Sequence, residues 1–408
     1  MYRFIITATI LVLLGFVYLG HRLVAPVWPL PLRAVLWTLL GAMIANLLWL
    51  PFKRWTLSAQ RAAGQSGSRP NGTLTLLLEA SAYNLMGFLS LLLLFTALSE
   101  FFRLGFGLLP QAWQIHVYTA LPHGWTIDAA LSVMIATLAF LFFAWGRISV
   151  ARGPRYRFVN VVYPLAGKHK RRPRFRRKQQ EPQKIRIAQV SDLHIGRAIK
   201  KPYVAQVVEK INAAGADFAC FTGDIGDGNI AGLRADAAPL ADIATKHGTF
   251  YIPGNHEYYW GMQSWLAEFT KLRFKPVINS GETIEIAGKK IFVAGTSDPT
   301  AARFAEELPK IPEREKSDLA ILLAHQPIFA KSALEKDYDL MLSGHTHGGQ
   351  YIPWSWVVHL VYRFASGLYR FGKMLVYVND GTGYWGAPVR IGTRLEITIL
   401  DIYFSDKD

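Results

Sequence analysis

Five short motifs between Asp192 and His347 carry the side chains of this chain that are best suited to bind metal ions. Their donors are carboxylates, imidazoles and one carboxamide, without a thiolate, and Mn, Fe, Zn or Ni accept such a mixture. The combination indicates a two-metal site that hydrolyses phosphoesters. The motifs are Asp192-Leu193-His194, Gly223-Asp224, Gly254-Asn255-His256-Glu257, an isolated His325, and Gly344-His345-Thr346-His347.

Each motif directly follows an apolar run that has the composition of a buried strand. The runs cover residues 185–190, 218–221, 249–252, 319–324 and 340–342. Strand ends hold side chains rigidly, and the loops after them leave room for a substrate. Between the runs, segments such as 203–214 have helical spacing. The pattern therefore predicts a layered α/β domain with the candidate ligands at the carboxyl ends of its strands.

Together with Gly226-Asp227 and Gly348-Gly349, these motifs resemble the calcineurin-like metallophosphoesterase superfamily over about residues 184–402. The segment 381–400 is similar to the last strands of the membrane-associated bacterial branch, which includes UDP-2,3-diacylglucosamine pyrophosphatases and related phosphodiesterases. The resemblance implies an α-β-β-α sandwich for residues 184–408, with two sheets packed face to face and helices outside them.

The resemblance also implies a set of metal ligands. Two divalent ions are expected, with Mn as the first choice and Fe, Zn or Ni as alternatives. Two such ions neutralise charge on the phosphate and activate the attacking water, so that hydroxide is the nucleophile. The ligands would be Asp192, His194 and His347 for one ion, Asn255, His325 and His345 for the other, and Asp224 as the bridge between them.

Three further residues receive roles from the same resemblance. In the family the histidine of the Gly-Asn-His motif lies beside the phosphate and is not a ligand. His256 is therefore expected to be catalytic, either by protonating the leaving group or by stabilising transition-state charge. Asp227 and Glu257 are expected to orient the imidazoles of the metal ligands.

The first 150 residues carry the apolar excess of a chain that is 51% hydrophobic over 408 residues. Uncharged stretches at 4–20, 34–52, 80–99 and 129–146 are each close to the roughly 20 residues that cross a bilayer. They predict four transmembrane helices. The first could instead be a signal peptide, although Gly20-His21-Arg22 is a poor cleavage site. Residues 101–127 could be a loop, an interfacial helix or part of a fifth span.

The formal net charge of +16 is concentrated after the last apolar stretch. Residues 147–186 contain fourteen Lys or Arg residues against one carboxylate, Glu181. We expect 151–183 to be a basic juxtamembrane linker whose run 168–178 binds anionic lipid headgroups. A nucleic acid partner is not expected, because no nucleic-acid fold accompanies the run. Since basic loops stay inside, the protein is predicted to be multi-pass in the inner membrane, with its catalytic domain cytoplasmic.

An aromatic segment follows the last ligand motif. Its residues Trp354, Trp356, Tyr362 and Phe364 could form a lid that contacts lipid, or the face of an ordinary core helix. A lid and a membrane anchor favour a phosphohydrolase that acts on a lipid-linked or nucleotide-lipid phosphodiester or phosphoanhydride. The alternative is a transporter-like or sensory membrane protein with a regulatory phosphoesterase domain.

Overall fold

A computed structural model describes residues 2–25, 30–62, 72–123, 125–163 and 184–404. The chain divides into two compact units. One, the helical unit, comprises Met1–Ile148 with Gly386–Val389, and the other, the α/β unit, comprises Ser149–Trp385 with Arg390–Asp408. The basic run 168–178 that is predicted to bind lipid headgroups lies outside the described residues.

The helical unit contains five helices in its described part. They are α1 (Tyr2–Leu19), which continues as a π-helical turn over Gly20–Val24, α2 (Leu30–Ala62), α3 (Thr73–Gly107), α4 (Gln111–Ala120) and α5 (Ile127–Ala151). Three of them contain segments long and apolar enough to cross a membrane: Leu30–Trp49, Thr73–Gly107 and Ile127–Ala151. The first predicted span is a shorter apolar helix, Thr9–Val24.

The open question of residues 101–127 is answered by two helices. Helix α3 continues to Gly107, beyond the predicted stretch, and α4 follows as a separate helix. With 10 residues, α4 is about 15 Å long, half of the hydrocarbon thickness of a bilayer. It buries none of its side chains. Helix α4 therefore does not form a fifth span by itself.

Polar side chains join the helices of this unit near one end of the apolar segments. Glu100 in α3 accepts hydrogen bonds from the Tyr18 hydroxyl at 2.9 Å and from Arg22 at 2.8 Å. Arg103 donates to Asp128 of α5 at 2.8 Å. These contacts link α1 and its π-helical turn to α3, and α3 to α5.

The α/β unit contains twelve strands in its described part, arranged as two mixed sheets of six strands. The first sheet has the order β1-β12-β2-β3-β4-β5 and the second the order β10-β11-β9-β8-β7-β6. In chain order the strands are β1 (Arg155–Tyr163), β2 (Lys184–Val190), β3 (Phe218–Thr222), β4 (Thr249–Ile252), β5 (Phe274–Pro276), β6 (Ser280–Ile286), β7 (Lys289–Gly295), β8 (Leu319–Leu323), β9 (Leu340–Ser343), β10 (Gly367–Phe371), β11 (Met374–Val378) and β12 (Glu396–Phe404).

The direction of the strands places the carboxyl ends of the parallel strands at one edge of each sheet. Strands β2, β3, β4 and β5 are parallel to one another, and so are β7, β8, β9 and β11 in the second sheet. Antiparallel pairing joins β12 to β2, β6 to β7 and β10 to β11. The carboxyl ends of the parallel strands therefore lie together in each sheet.

Three buried cores hold the layers together. Side chains such as Ile187 and Phe250 of the first sheet and Val293 of the second share one core between the sheets. A second core covers the outer side of the first sheet with helical residues that include Trp265. The third covers the outer side of the second sheet. The helices of this unit are α6 (Lys201–Ala213), α7 (Arg234–Ala237), α8 (Asn255–Trp260), α9 (Met262–Lys271), α10 (Ala330–Glu335) and α11 (Trp354–Val361).

The α/β unit begins earlier than the expected boundary at residue 184. Strand β1 lies within the predicted linker 151–183 and pairs in parallel with β12 over its full length. Its Val161 is buried in the core between the sheets, and Arg157 contacts Glu396 at 3.1 Å. The aromatic and β-branched residues of RYRFVNVVY favour a strand. Because the segment also contains arginines, the sequence pattern assigned it to the basic linker.

Candidate metal centre

The strand ends place the predicted ligands as the sequence pattern requires. Asp192 and His194 follow β2, and Asp224 follows β3. Asn255 begins helix α8 just after β4. His325 follows β8, and the His345-Thr346-His347 segment follows β9. All seven candidate ligands thus come from the carboxyl ends of parallel strands in the two sheets.

Five of the seven candidate ligands have a left-handed backbone. A positive φ costs a residue other than glycine on the order of 1–3 kcal/mol, and it persists where the surrounding structure fixes it, often at functional sites. The strain is thus concentrated in the residues that the sequence predicts to bind metal. The φ angles are 52° for Asp192, 53° for His194, 54° for Asp224, 71° for His345 and 52° for His347.

The first cluster consists of Asp192, His194 and His347. One donor atom from each lies within 4.8 Å of the other two. The Nε2 atoms of His194 and His347 are 3.0 Å apart, and His347 Nε2 is 3.4 Å from Asp192 Oδ1. Three donors facing one another at these distances can surround one cation.

The second cluster consists of Asp224, His325 and His345, again with donor atoms within 4.8 Å of one another. Asn255 joins it, because its Oδ1 is 3.0 Å from His345 Nδ1. Asp224 Oδ2 is 3.3 Å from His325 Nε2 and 4.0 Å from His194 Nε2 of the first cluster. Asp224 therefore lies between the two clusters, where a bridging carboxylate would be placed.

A buried nitrogen atom of His325 indicates that the second cluster suits a cation. His325 Nε2 is buried and makes no hydrogen bond within the described part of the chain, although it faces Asp224. A buried polar atom without a partner is costly. Coordination of a metal ion between His325 and Asp224 would satisfy both groups, so the residues present fit a metal.

Glycines allow the backbone to approach these carboxylates. A Cβ atom on Gly254 would lie 2.2 Å from Asp224 Oδ1, and one on Gly344 would lie 2.2 Å from Asp192 Oδ2. No side chain fits at these distances. The glycines of the Gly-Asn-His and Gly-His-Thr-His motifs are thus required by the close packing of the ligand loops.

The electrostatics favour neutral imidazoles at several ligands. Burial, together with the charge of His256, lowers the pKa of His194 to about 3. Burial also lowers the pKa of His345 to about 4, and that of His347 falls well below its usual value. A neutral imidazole offers the lone pair that a metal ion needs. The pKa of His325 is raised despite burial, because Asp224 attracts its proton, so proton and metal compete for this position.

His256 lies against the first cluster. Its ring centroid is 4.7 Å from that of His194, and its backbone N–H donates to Asp224 Oδ1 at 2.8 Å. Burial acts to lower the pKa of His256, but Asp224 and Asp227 outweigh it and raise the pKa to about 9. The imidazole is therefore cationic at neutral pH and can donate a proton.

Asp227 and Glu257 have contacts that differ from the expected orientation of ligand imidazoles. Asp227 Oδ1 is 2.9 Å from His256 Nδ1 and accepts the Trp260 indole N–H at 2.9 Å, so it orients the catalytic candidate instead of a ligand. The carboxylate of Glu257 accepts backbone N–H groups of Asp224, Ile225, Gly226 and Gly254 at 2.7–3.0 Å. Glu257 thus ties the Asp224 loop to the start of α8.

Arg390 is a buried residue of the site that the sequence reasoning missed. Its guanidinium donates to the carbonyl oxygens of His347 at 2.9 Å and Gly383 at 2.7 Å, and it lies 3.1 Å from His347 Nδ1. No motif marks this arginine. The available signal was an arginine within the glycine-rich stretch 381–392, which contains four glycines and no other charged residue.

The four residues predicted to contact lipid have different environments. Trp354 and Trp356 lie on α11 and are 48% and 53% exposed. Tyr362 is half-buried, with its hydroxyl 3.4 Å from His345 Nε2. Phe364 is buried against Tyr369 and Phe371. The prediction of lipid contact is wrong for Phe364, because its aromatic ring belongs to the core of the second sheet.

Comparison with known proteins identifies the family that the chain resembles. The family model for calcineurin-like phosphoesterases matches residues 185–349. A Helicobacter pylori protein named uncharacterized metallophosphoesterase is 37% identical over 222 residues, 53% of this chain and 59% of that protein. A Bos taurus transmembrane protein with metallophosphoesterase domain is 33% identical over 287 residues, 66% of this chain and 61% of that protein.

An uncharacterized metallophosphoesterase of Aquifex aeolicus is 31% identical over 227 residues, which are 53% of this chain and 85% of that protein. The chain covers only about three fifths of the Helicobacter and bovine relatives, but it covers most of the Aquifex one. Since the chain covers 85% of this metallophosphoesterase at 31% identity, and the family model spans all five ligand motifs, the chain belongs to the calcineurin-like metallophosphoesterase family.

Proposed function

We propose that this protein is a membrane-anchored phosphohydrolase that cleaves a phosphodiester or a phosphoanhydride at a binuclear metal centre. The observation that carries the proposal is the convergence of seven donors from five strand ends into two clusters, with Asp224 between them. Five of these donors are held on left-handed backbone. Such an arrangement has no evident role in stability.

The first ion would be held by Asp192, His194 and His347, and the second by Asn255, His325 and His345, with Asp224 shared. We propose Mn²⁺ as the metal, and the mixed donors also suit Fe, Zn or Ni. When bound, two divalent ions would neutralise phosphate charge and make a water molecule acidic enough to attack at neutral pH. The protein itself contributes the fixed positions of these donors.

His256 would act on the oxygen that leaves phosphorus. Its imidazole lies against His194, and the Asp227 carboxylate at its Nδ1 stabilises the positive charge of the protonated ring. The cation would first balance negative charge on the phosphate and then donate its proton to the leaving oxygen. Asp227 would fix the ring orientation for this transfer.

The helical unit supports a membrane location. Three helices have the length and composition of membrane spans, and a bovine relative is named a transmembrane protein. Beyond this we propose that the shorter helix Thr9–Val24 is a fourth span, that the membrane is the inner one, and that the α/β unit is cytoplasmic. The basic run 168–178 would bind anionic headgroups, and the substrate would be a lipid-linked or nucleotide-lipid phosphate ester.

Helix α11 would contact the lipid part of such a substrate. Its Trp354, Trp356 and Leu360 are exposed, and the helix follows the last ligand motif closely in sequence. Tyr362, at the end of this helix, contacts the ligand His345. Exposed apolar side chains beside basic ones, here Arg363, are typical of segments that lie in a headgroup region.

Replacing Asp224 by Ala should abolish hydrolysis of bis(p-nitrophenyl) phosphate by the detergent-solubilised protein with Mn²⁺. Metal ions contribute several kcal/mol to transition-state stabilisation, so we expect kcat/KM to fall roughly a thousandfold. Chelation with EDTA should abolish wild-type activity, and added Mn²⁺ should restore it. Asp337→Ala, at an exposed carboxylate that is paired with Lys373, serves as the control. Unchanged activity of the Asp224 variant would contradict the proposal.

Replacing Asp227 by Asn should lower kcat roughly 10- to 100-fold, the usual effect of removing a carboxylate that orients an imidazole. Asp227 helps to raise the pKa of His256 to about 9. Without this carboxylate the cation loses stabilisation, so its pKa falls and the alkaline limb of the pH–rate profile moves to lower pH. The profile is measured from pH 6 to 10. A lower rate with an unmoved alkaline limb would reject His256 as the acid.

Replacing both Trp354 and Trp356 by Ser should slow hydrolysis of hexadecyl p-nitrophenyl phosphate in mixed micelles, and leave bis(p-nitrophenyl) phosphate unaffected. Both substrates release p-nitrophenolate, so the comparison isolates the lipid chain. Burial of two indoles is worth enough for at least a tenfold loss of kcat/KM. Phe158→Ser, at another exposed aromatic residue, is the control. An equal loss on both substrates would count against the lipid contact.

A fusion of alkaline phosphatase or green fluorescent protein to the C-terminus tests the orientation. The positive-inside rule predicts a fluorescent and phosphatase-inactive fusion, because the basic residues after the last span keep the α/β unit in the cytoplasm. Expression of both fusions is compared by immunoblot. An active alkaline phosphatase fusion would place the α/β unit on the opposite side of the membrane.

A further inference from the structure

Three exposed aromatic residues lie in a row beside His256: two of them contact its ring, and the third contacts Tyr259. Tyr259, Phe304 and Trp385 are 45%, 45% and 43% exposed. We call these three residues the aromatic wall. Single exposed apolar residues are ordinary on a protein surface, but a contiguous group beside a polar site is not.

The wall is continuous with the catalytic candidate. The ring centroid of His256 lies 5.5 Å from that of Tyr259 and 5.8 Å from that of Trp385. Phe304 extends the wall, with its centroid 6.1 Å from that of Tyr259. The His256 ring also contacts that of His194 in the first cluster, with centroids 4.7 Å apart. A group bonded to a phosphate beside His256 therefore has an aromatic surface within reach.

The position of Trp385 is fixed by the metal-binding loop itself. The Gln350 side chain is buried, accepts the Trp385 backbone N–H at 3.0 Å, and donates to the Trp385 carbonyl at 3.1 Å. Gln350 comes directly after the Gly-His-Thr-His-Gly-Gly segment that carries His345 and His347. The loop that supplies two metal ligands thus also anchors the wall.

Tyr259 is placed by the same helix that supplies His256. The two residues are three positions apart on α8, so their side chains lie on one face of the helix. Two of the three wall residues are therefore fixed to the site, Tyr259 through the His256 helix and Trp385 through the His345 loop. The distance between this surface and the site is therefore fixed.

We propose that Tyr259 and Trp385 determine specificity by receiving a flat, apolar or aromatic group esterified to the phosphate. This inference rests on the proposed hydrolysis at the metal centre and names the substrate class that the site prefers. The wall carries no charge, whereas the His256 ring beside it is within 4 Å of the carboxylates of Asp224 and Asp227. It offers stacking surface to an organic ester group and gives no advantage to inorganic diphosphate or to a small alkyl ester.

Two substrates with the same leaving group test the proposal. The detergent-solubilised full chain with Mn²⁺ is assayed on bis(p-nitrophenyl) phosphate and on methyl p-nitrophenyl phosphate, both followed by p-nitrophenolate release. We expect the wild type to favour the diaryl ester in kcat/KM. Trp385→Ala and Tyr259→Ala should each reduce this preference by roughly tenfold, the scale of one lost stacking contact. Phe158→Ala is the matched control at an exposed aromatic residue on β1.

Binding of non-hydrolysable anions separates this inference from the hydrolysis itself. Isothermal titration of the Mn²⁺-loaded chain should show tighter binding of phenylphosphonate than of methylphosphonate, and the difference should vanish in Trp385→Ala. Tyr259→Phe, which keeps the ring, should retain the difference. Equal affinity of the wild type for both phosphonates, or an equal loss of both in the alanine variants, would overturn the proposal whether or not the chain hydrolyses either ester.

Discussion

The buried carboxylate of Glu257 joins the two loops on which the site depends. It accepts two N–H groups on each oxygen, from Asp224, Ile225, Gly226 and Gly254. These bonds hold Asp224 in its left-handed conformation and fix the first turn of α8, which carries Asn255 and His256. Burial and the nearby charge of Asp224 raise the pKa of Glu257 to about 7, while the backbone donors act in the opposite direction. The proposed bridging ligand and the proposed catalytic imidazole are thereby positioned by one side chain.

Strain is distributed around this interaction in a consistent way. The left-handed residues follow strands that are buried on both faces, so the strand above each one cannot shift to relieve its φ angle. The glycines that allow close approach occupy the neighbouring loops. The rigid strands therefore fix the start of each loop, and the loops hold their donor atoms close together. The cost is tolerated because two sheets and three cores stabilise the unit as a whole.

The sequence predicted this arrangement where local patterns determine the structure. Apolar runs such as 218–221 identify strands, and polar residues directly after them must lie at strand ends, so the convergence of Asp192, Asp224 and His325 could be anticipated. The sequence predicted less well where a side chain acts across the fold. The carboxylate of Glu257 and the guanidinium of Arg390 form hydrogen bonds with backbone groups. Because every residue type offers a backbone carbonyl, and nearly every one an N–H, the sequence does not reveal such partners. Strand β1 was not predicted as a strand, because its arginines resemble those of the basic segment after it.

Chemistry and specificity come from different parts of this unit. The donors lie on strand ends that the sheets hold in place, and their identities are restricted by the demands of coordination. The aromatic wall and helix α11 lie outside the sheets, on a short helix and on loops whose side chains are partly exposed. Substitution of an exposed ring alters the surface beside the phosphate without moving a strand. In the proposed function one metal centre would therefore serve different phosphate esters, since the groups proposed to distinguish one ester from another are not those that would hold the ions.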